Sequence, residues 1–141
     1  MSAFWDTSAI LHICVPGQAS SQAKELLRVH SPVVWWTAPA EVRSALERLR
    51  RESAISAAAY AASNRRLVEL LGSWREIQPT EPLRDSACSL LERFPLRASD
   101  ALHLAAALVW CKQTPRGRKF VCNDRRLTAA ARNMGFATAE V

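Results

Sequence analysis

Residues 3–14, Ala3-Phe4-Trp5-Asp6-Thr7-Ser8-Ala9-Ile10-Leu11-His12-Ile13-Cys14, decide how this chain is read. A short apolar run stops at a polar turn, Asp6-Thr7-Ser8. Ile10, Leu11, Ile13 and Cys14 then predict a brief helix that Pro16-Gly17 ends. The reading is strand, turn, helix, with an acid at the carboxyl end of the strand.

Working outward, the same grammar recurs. Ala19, Ala23, Leu26 and Leu27 keep helical spacing between Gln18 and His30, and Ser31-Pro32 ends that pattern. Val33-Val34-Trp35-Trp36-Thr37 has the β-branched and aromatic content of a buried strand, whose two tryptophans face opposite ways and are expected under covering helices. Pro39 suits a helix first turn, and Val42, Ala45, Leu46 and Leu49 follow on one apolar face, so Glu41 falls in that first turn. A further helix runs from about Ser56 to Leu71 with Gly72 past its end. Its Ala-rich start fits close packing, in the core or at a dimer face. Trp74 to Gln78 reads as a short strand, and Pro79 and Pro82 bracket a turn into a helix over Leu83 to Arg93.

After the break at Phe94-Pro95-Leu96-Arg97, Ser99-Asp100 opens ALHLAAALVWC, a helix apolar nearly all round and therefore buried between layers. A basic loop, Gln113 to Arg118, leads to the strand Lys119 to Cys122, which ends at Asn123-Asp124. Arg125 to Met134 is helical again, Gly135 closes it, and Phe136 to Val141 forms a last edge strand. Strands alternating with helices imply a three-layer α/β/α domain over residues 1–141, with a parallel sheet of four to five strands covered on both faces. Nothing in the chain repeats or marks a linker.

Four carboxylates, Asp6, Glu41, Asp100 and Asp124, stand where apolar stretches give way to helices. Singly, each has an ordinary explanation as a helix cap or first-turn acid, worth roughly 0.5–2 kcal/mol. Parallel topology, however, puts the ends of the strands before Asp6 and Asp124 on one edge, and Glu41 trails a third strand by a few residues. Asp100 starts the most apolar helix, where a lone charge is costly without a partner. Acids crowded in this way repel each other unless a hard cation such as Mg²⁺ or Mn²⁺ neutralises them, and such a cation activates water against a phosphodiester. Thr7 and Asn123 are placed to hold waters beside it.

Charge points to the substrate. The net charge is +6, from 19 basic residues against 13 acidic ones. Arginine, suited to bidentate contact with phosphate, supplies most of the positive charge. With the four acids set against bound metal, nine acids face those 19 basic residues elsewhere, a surface that attracts nucleic acid. Arg97, Arg125 and Arg126 flank two of the acids and are candidate phosphate contacts. Cys14, Cys88, Cys111 and Cys122 form no CxxC pair, which fits reduced thiols. The N-terminal residues lack a basic n-region, and the longest apolar run, Ala101 to Trp110, is too short to span a bilayer, so a cytoplasmic, membrane-free setting is expected. A phosphohydrolase of the haloacid dehalogenase type is disfavoured, since it needs an acid where Ser8 stands. A response-regulator receiver lacks its paired early acids, and serine-type catalysis lacks nearby Ser and His partners. His103, inside an apolar helix, reads as a packed histidine, and Trp35 and Trp36 as core rather than a base-stacking platform.

The strings FWDTSAIL, AEVRSAL, LRASDALHLAAA and FVCNDRRLTAAARNMGF, in this order and at these distances, closely resemble the PIN-domain toxins of the VapC type. The similarity covers nearly the whole chain. Motif by motif, it implies metal-binding acids at Asp6, Glu41, Asp100 and Asp124. It further implies a Mg²⁺- or Mn²⁺-dependent endoribonuclease, often dimeric, neutralised by a cognate antitoxin. Similar sequences usually carry Thr or Ser where this chain has Cys122, a weaker hydrogen-bonding group. The alternatives are a PIN-fold protein that binds RNA or a partner without cutting, and a metal-dependent DNA nuclease.

Overall fold

The computed structural model describes residues 1–141. Five strands, β1 (Ser2–Trp5), β2 (Ser31–Trp35), β3 (Arg75–Ile77), β4 (Lys119–Val121) and β5 (Ala137–Ala139), form one sheet. Its order is β3-β2-β1-β4-β5 and every neighbouring pair is parallel. The helices are α1 (Thr7–Cys14), α2 (Ser21–Val29), α3 (Ala38–Arg51), α4 (Ala57–Leu71), α5 (Glu81–Arg93), α6 (Ala98–Trp110) and α7 (Arg125–Met134).

The period of two along each strand sorts the core into two layers. Phe4, Val33, Trp35 and Phe120 face α5, α6 and α7, while Ala3, Trp5, Val34 and Val121 face α1, α3 and α4. Phe4 lies opposite both Val33 and Phe120 in register, and its ring stacks on Phe120 with centroids 5.5 Å apart. In α6, Ala101, Leu104, Ala105, Ala106 and Ala107 are wholly buried between the sheet and α5, and the alanines allow that close approach.

The helix starts follow local chemistry. Ser20, Ser56 and Thr80 each accept the backbone N–H three residues on, capping α2, α4 and α5. Gly135 ends α7 with φ +111°, a left-handed conformation that costs glycine little.

One expectation needs correction. Trp36 is not core: β2 ends at Trp35, and Trp36, whose N–H donates to the Ile77 carbonyl at 3.2 Å, already belongs to the turn. Alternation stops with the strand, so Trp35 is 4% exposed and Trp36 50%.

Candidate active site

The site is assembled at the carboxyl edge of the sheet, around the central strand. Strand order reverses there: the chain moves outward from β1 through β2 to β3, then returns to β4 on the other side. Such a switch point opens a crevice between the two loops that leave it. Asp6 follows β1 directly, and its N–H donates to the Val121 carbonyl of β4 at 3.1 Å. Asp124 lies three residues past β4. Glu41 sits in the first turn of α3, behind β2, and Asp100 in the first turn of α6. All four carboxylates line one cavity of about 380 Å³.

Three of the four are also fixed by the protein. Oδ1 of Asp6 accepts the Ser8 hydroxyl at 2.7 Å and the Ala9 N–H at 3.3 Å. Oδ1 of Asp124 accepts the Leu127 N–H at 2.9 Å, capping α7. Oε2 of Glu41 accepts the Thr37 hydroxyl at 2.5 Å and pairs with Nε2 of His103 at 2.8 Å. The cap explanation is thus correct for Asp6 and Asp124. It does not exclude the other, because each of these bonds falls on one oxygen and leaves the second without a protein partner. The acids share a cavity without being drawn into a closed ligand cluster of three. Like charges at this edge repel one another, most clearly at Asp100.

The electrostatics show the same strain. Burial pushes the Asp6 carboxyl up, against the nearby His103 and the Ser8 and Ala9 bonds. Asp100 is pushed up by burial and then by the charges of Asp124 and Asp6. Glu41 goes the other way: burial opposes its charge, but the His103 contact and the Thr37 and Thr7 hydroxyls more than offset it and hold it below the usual carboxylate range. Four carboxylates around one cavity, two of them resisting ionisation, are an all-oxygen set that could hold a hard divalent cation rather than a softer metal.

The remaining candidates divide. Thr7 lines the acidic cavity, its hydroxyl 3.3 Å from Nε2 of His103. Arg97, Arg125 and Arg126 line a second cavity of about 560 Å³, which shares Asp100 and Asp124 with the first. Asn123 lines neither, and its Oδ1 accepts the Val141 N–H at 2.9 Å. Cys122 is wholly buried. Its sulfur takes the Asp124 N–H at 3.3 Å, closing the turn that a hydroxyl would close.

Sequence reasoning missed Ser8, which accepts the Asn123 N–H at 2.9 Å while donating to Asp6 and so ties the ends of β1 and β4 together. It also missed Ser44 and Arg48 in the acidic cavity. Their offsets of three and seven from Glu41 put them on its helix face, a signal available in the sequence. The pairing of His103 with Glu41, 62 residues apart, had no local signal.

Fold and cavity together define a parallel α/β/α protein with an acid-lined crevice at its switch point. The family model for the PIN domain matches residues 3–133, and the chain belongs to that family. PIN domains are generally nucleases, and those nucleases generally use divalent metals. Among solved structures, the chain is similar to PAE2754 from Pyrobaculum aerophilum, with TM-score 0.68 and 18% identity, covering 98% of this chain and 90% of that one. It is similar to FitAcB from Neisseria gonorrhoeae, with TM-score 0.64 and 15% identity over 96% and 95% of the two chains. A toxin–antitoxin complex from Klebsiella pneumoniae gives TM-score 0.59 and 14% identity, covering 91% of each chain. At these identities the likeness is one of fold. No curated protein matches the sequence.

Proposed function

We propose that this protein is a Mg²⁺- or Mn²⁺-dependent endoribonuclease, the toxin of a toxin–antitoxin pair. The observation that carries the reading is the convergence of Asp6, Glu41, Asp100 and Asp124 on one cavity at the carboxyl edge of a PIN-domain sheet. Family membership supports nuclease chemistry, and the net charge of +6 supports a polyanionic substrate. The toxin assignment draws on fold likeness to the Klebsiella toxin–antitoxin complex and on the four sequence motifs. An antitoxin that covers the acidic cavity, and pairing of two copies of this chain, belong to the same reading.

A bound divalent cation supplies a more acidic water and neutralises charge on the phosphoryl oxygens. The protein's part is to hold the four acids in place. Ser8 fixes Asp6 through one oxygen, and the α7 backbone fixes Asp124 in the same way. His103 and Thr37 keep Glu41 ionised, while Asp100 enters from the first turn of α6.

Purified protein incubated with single-stranded and structured RNAs in Mn²⁺ should cut them. EDTA and Asp100→Asn should each abolish the cutting, the variant also excluding a contaminating nuclease. A second reading, binding of RNA or a partner without cleavage, is favoured by the spacing of the acids, no three of which stand together as a ready-made metal cluster. RNA retained but intact in Mn²⁺ would establish it. Preference for DNA in the same assay would replace RNA with DNA as the substrate.

A further inference from the structure

The second cavity has a composition of its own. Arg97, Arg125 and Arg126 line it, together with Ser99 and the shared Asp100 and Asp124, and Pro95 is its one apolar side chain. Every acid–base pair of the protein lies elsewhere: Arg28 with Glu25, Arg50 with Glu47, Arg66 with Glu69, and His103 with Glu41. Three guanidinium groups therefore face a cavity of about 560 Å³ with none of them held by a carboxylate, although two carboxylates form one of its walls. Two helices begin at this cavity. α7 starts at Arg125 under its Asp124 cap, whereas α6 starts after Arg97 with no side-chain cap on its leading N–H groups.

We infer that this basic cavity seats a phosphate of the RNA strand next to the one presented to the acids. The inference rests on the nuclease reading for its substrate and on the cavity for its place. Guanidinium forks bind phosphate oxygens bidentately, and the uncapped first turn of α6 adds N–H donors. The shared wall of Asp100 and Asp124 sets the two cavities side by side, so one strand crossing that wall lies in both. A phosphate held in the basic cavity positions its neighbour without reading any base.

The test is binding of a short fluorescent RNA oligonucleotide to the whole protein in EDTA, so that no cutting intervenes, followed over a range of salt. Arg97→Ala, Arg125→Ala and Arg126→Ala should each weaken binding about five- to tenfold and lower the slope of log affinity against log salt by about 0.7 to 1. Arg125→Lys, which keeps the charge and loses the fork, should fall between wild type and alanine. Arg66→Ala, which removes the same charge from α4, should change affinity less than twofold. Circular dichroism melts check that each variant is folded, and substitutions of three exposed side chains should leave the melts unchanged.

Losses no greater than that of Arg66→Ala overturn the inference. So does failure of the wild type to bind RNA, or binding of a DNA strand of the same sequence alone. The two readings separate cleanly. Arginine-dependent RNA binding with no cleavage in Mn²⁺ removes the nuclease and keeps the phosphate seat. Cleavage unaffected by the arginine substitutions keeps the nuclease and removes the seat.

Discussion

Asp100 is held in a place that resists its charge, since burial, Asp124 and Asp6 all push its carboxyl up. A group with a raised folded value binds more protons in the native chain than in the unfolded one, so its contribution to stability is lost as pH rises through that value. In EDTA, Asp100→Asn should therefore melt higher than wild type at pH 7.5, and the gap should close as pH falls toward 4. Thermal melts at the two pH values check this, and a variant that melts lower at pH 7.5 would refute it. His103 acts through packing and pairing. It is wholly buried and holds Glu41 at 2.8 Å, so His103→Ala leaves both a cavity and an acid without its partner. The expected cost is about 2–4 kcal/mol in a urea titration. The cysteines provide a third check at this scale. Burial pushes Cys14 up to about 11 and Cys122 up to about 12, and both are shielded, while Cys88 is exposed. Iodoacetamide at pH 8 should modify Cys88 in the native protein and spare Cys14 and Cys122, as peptide mass mapping would show.

At the scale of elements, what could be read in advance was whatever short-range physics controls. The start of α3 at Ala38-Pro39, the end of α4 at Gly72 and the end of α7 at Gly135 all follow from residues within one turn of the boundary. Trp36 was misplaced because period-two alternation has no means of announcing its own last residue. Asp6 and Asp124 were placed at the edge because they follow strands, which is a local fact. The His103–Glu41 pair, the Ser8 bridge and the wall shared by the two cavities depend on how helices settle against the sheet, and no local pattern encodes them. The end of α7 offers a clear element-level test. At φ +111° a side chain is strained, and a β-carbon on Gly135 would meet Cγ of Pro115 at 3.3 Å. Gly135→Ala should cost about 1–2 kcal/mol of unfolding free energy by denaturant titration. A neutral effect would mean that the 112–118 loop gives way to the new methyl.

For the whole molecule, the sheet order and the charge distribution are linked. Placing β1 between β2 and β4 brings Asp6, Glu41 and Asp124 to one crevice, and α6 delivers Asp100 to the same place. The fold thus gathers four of its 13 acids at one edge while the chain as a whole carries a charge of +6. A cation that binds this crevice only in the native state must raise the stability of the entire fold by mass action, about 2.7 kcal/mol at one hundred times its dissociation constant. Relief of the repulsion from Asp124 and Asp6, which adds to burial in raising Asp100, acts in the same direction. Melting temperature should therefore climb with Mn²⁺ concentration in the wild type. Na⁺ at matched ionic strength should not reproduce the rise, and Asp6→Asn combined with Asp100→Asn should remove most of it. The readout involves no RNA and no turnover, so it separates the metal question from the substrate question. An equal rise in the double variant would place the cation elsewhere on the surface, and no rise in the wild type would overturn the proposal that the crevice holds a divalent cation.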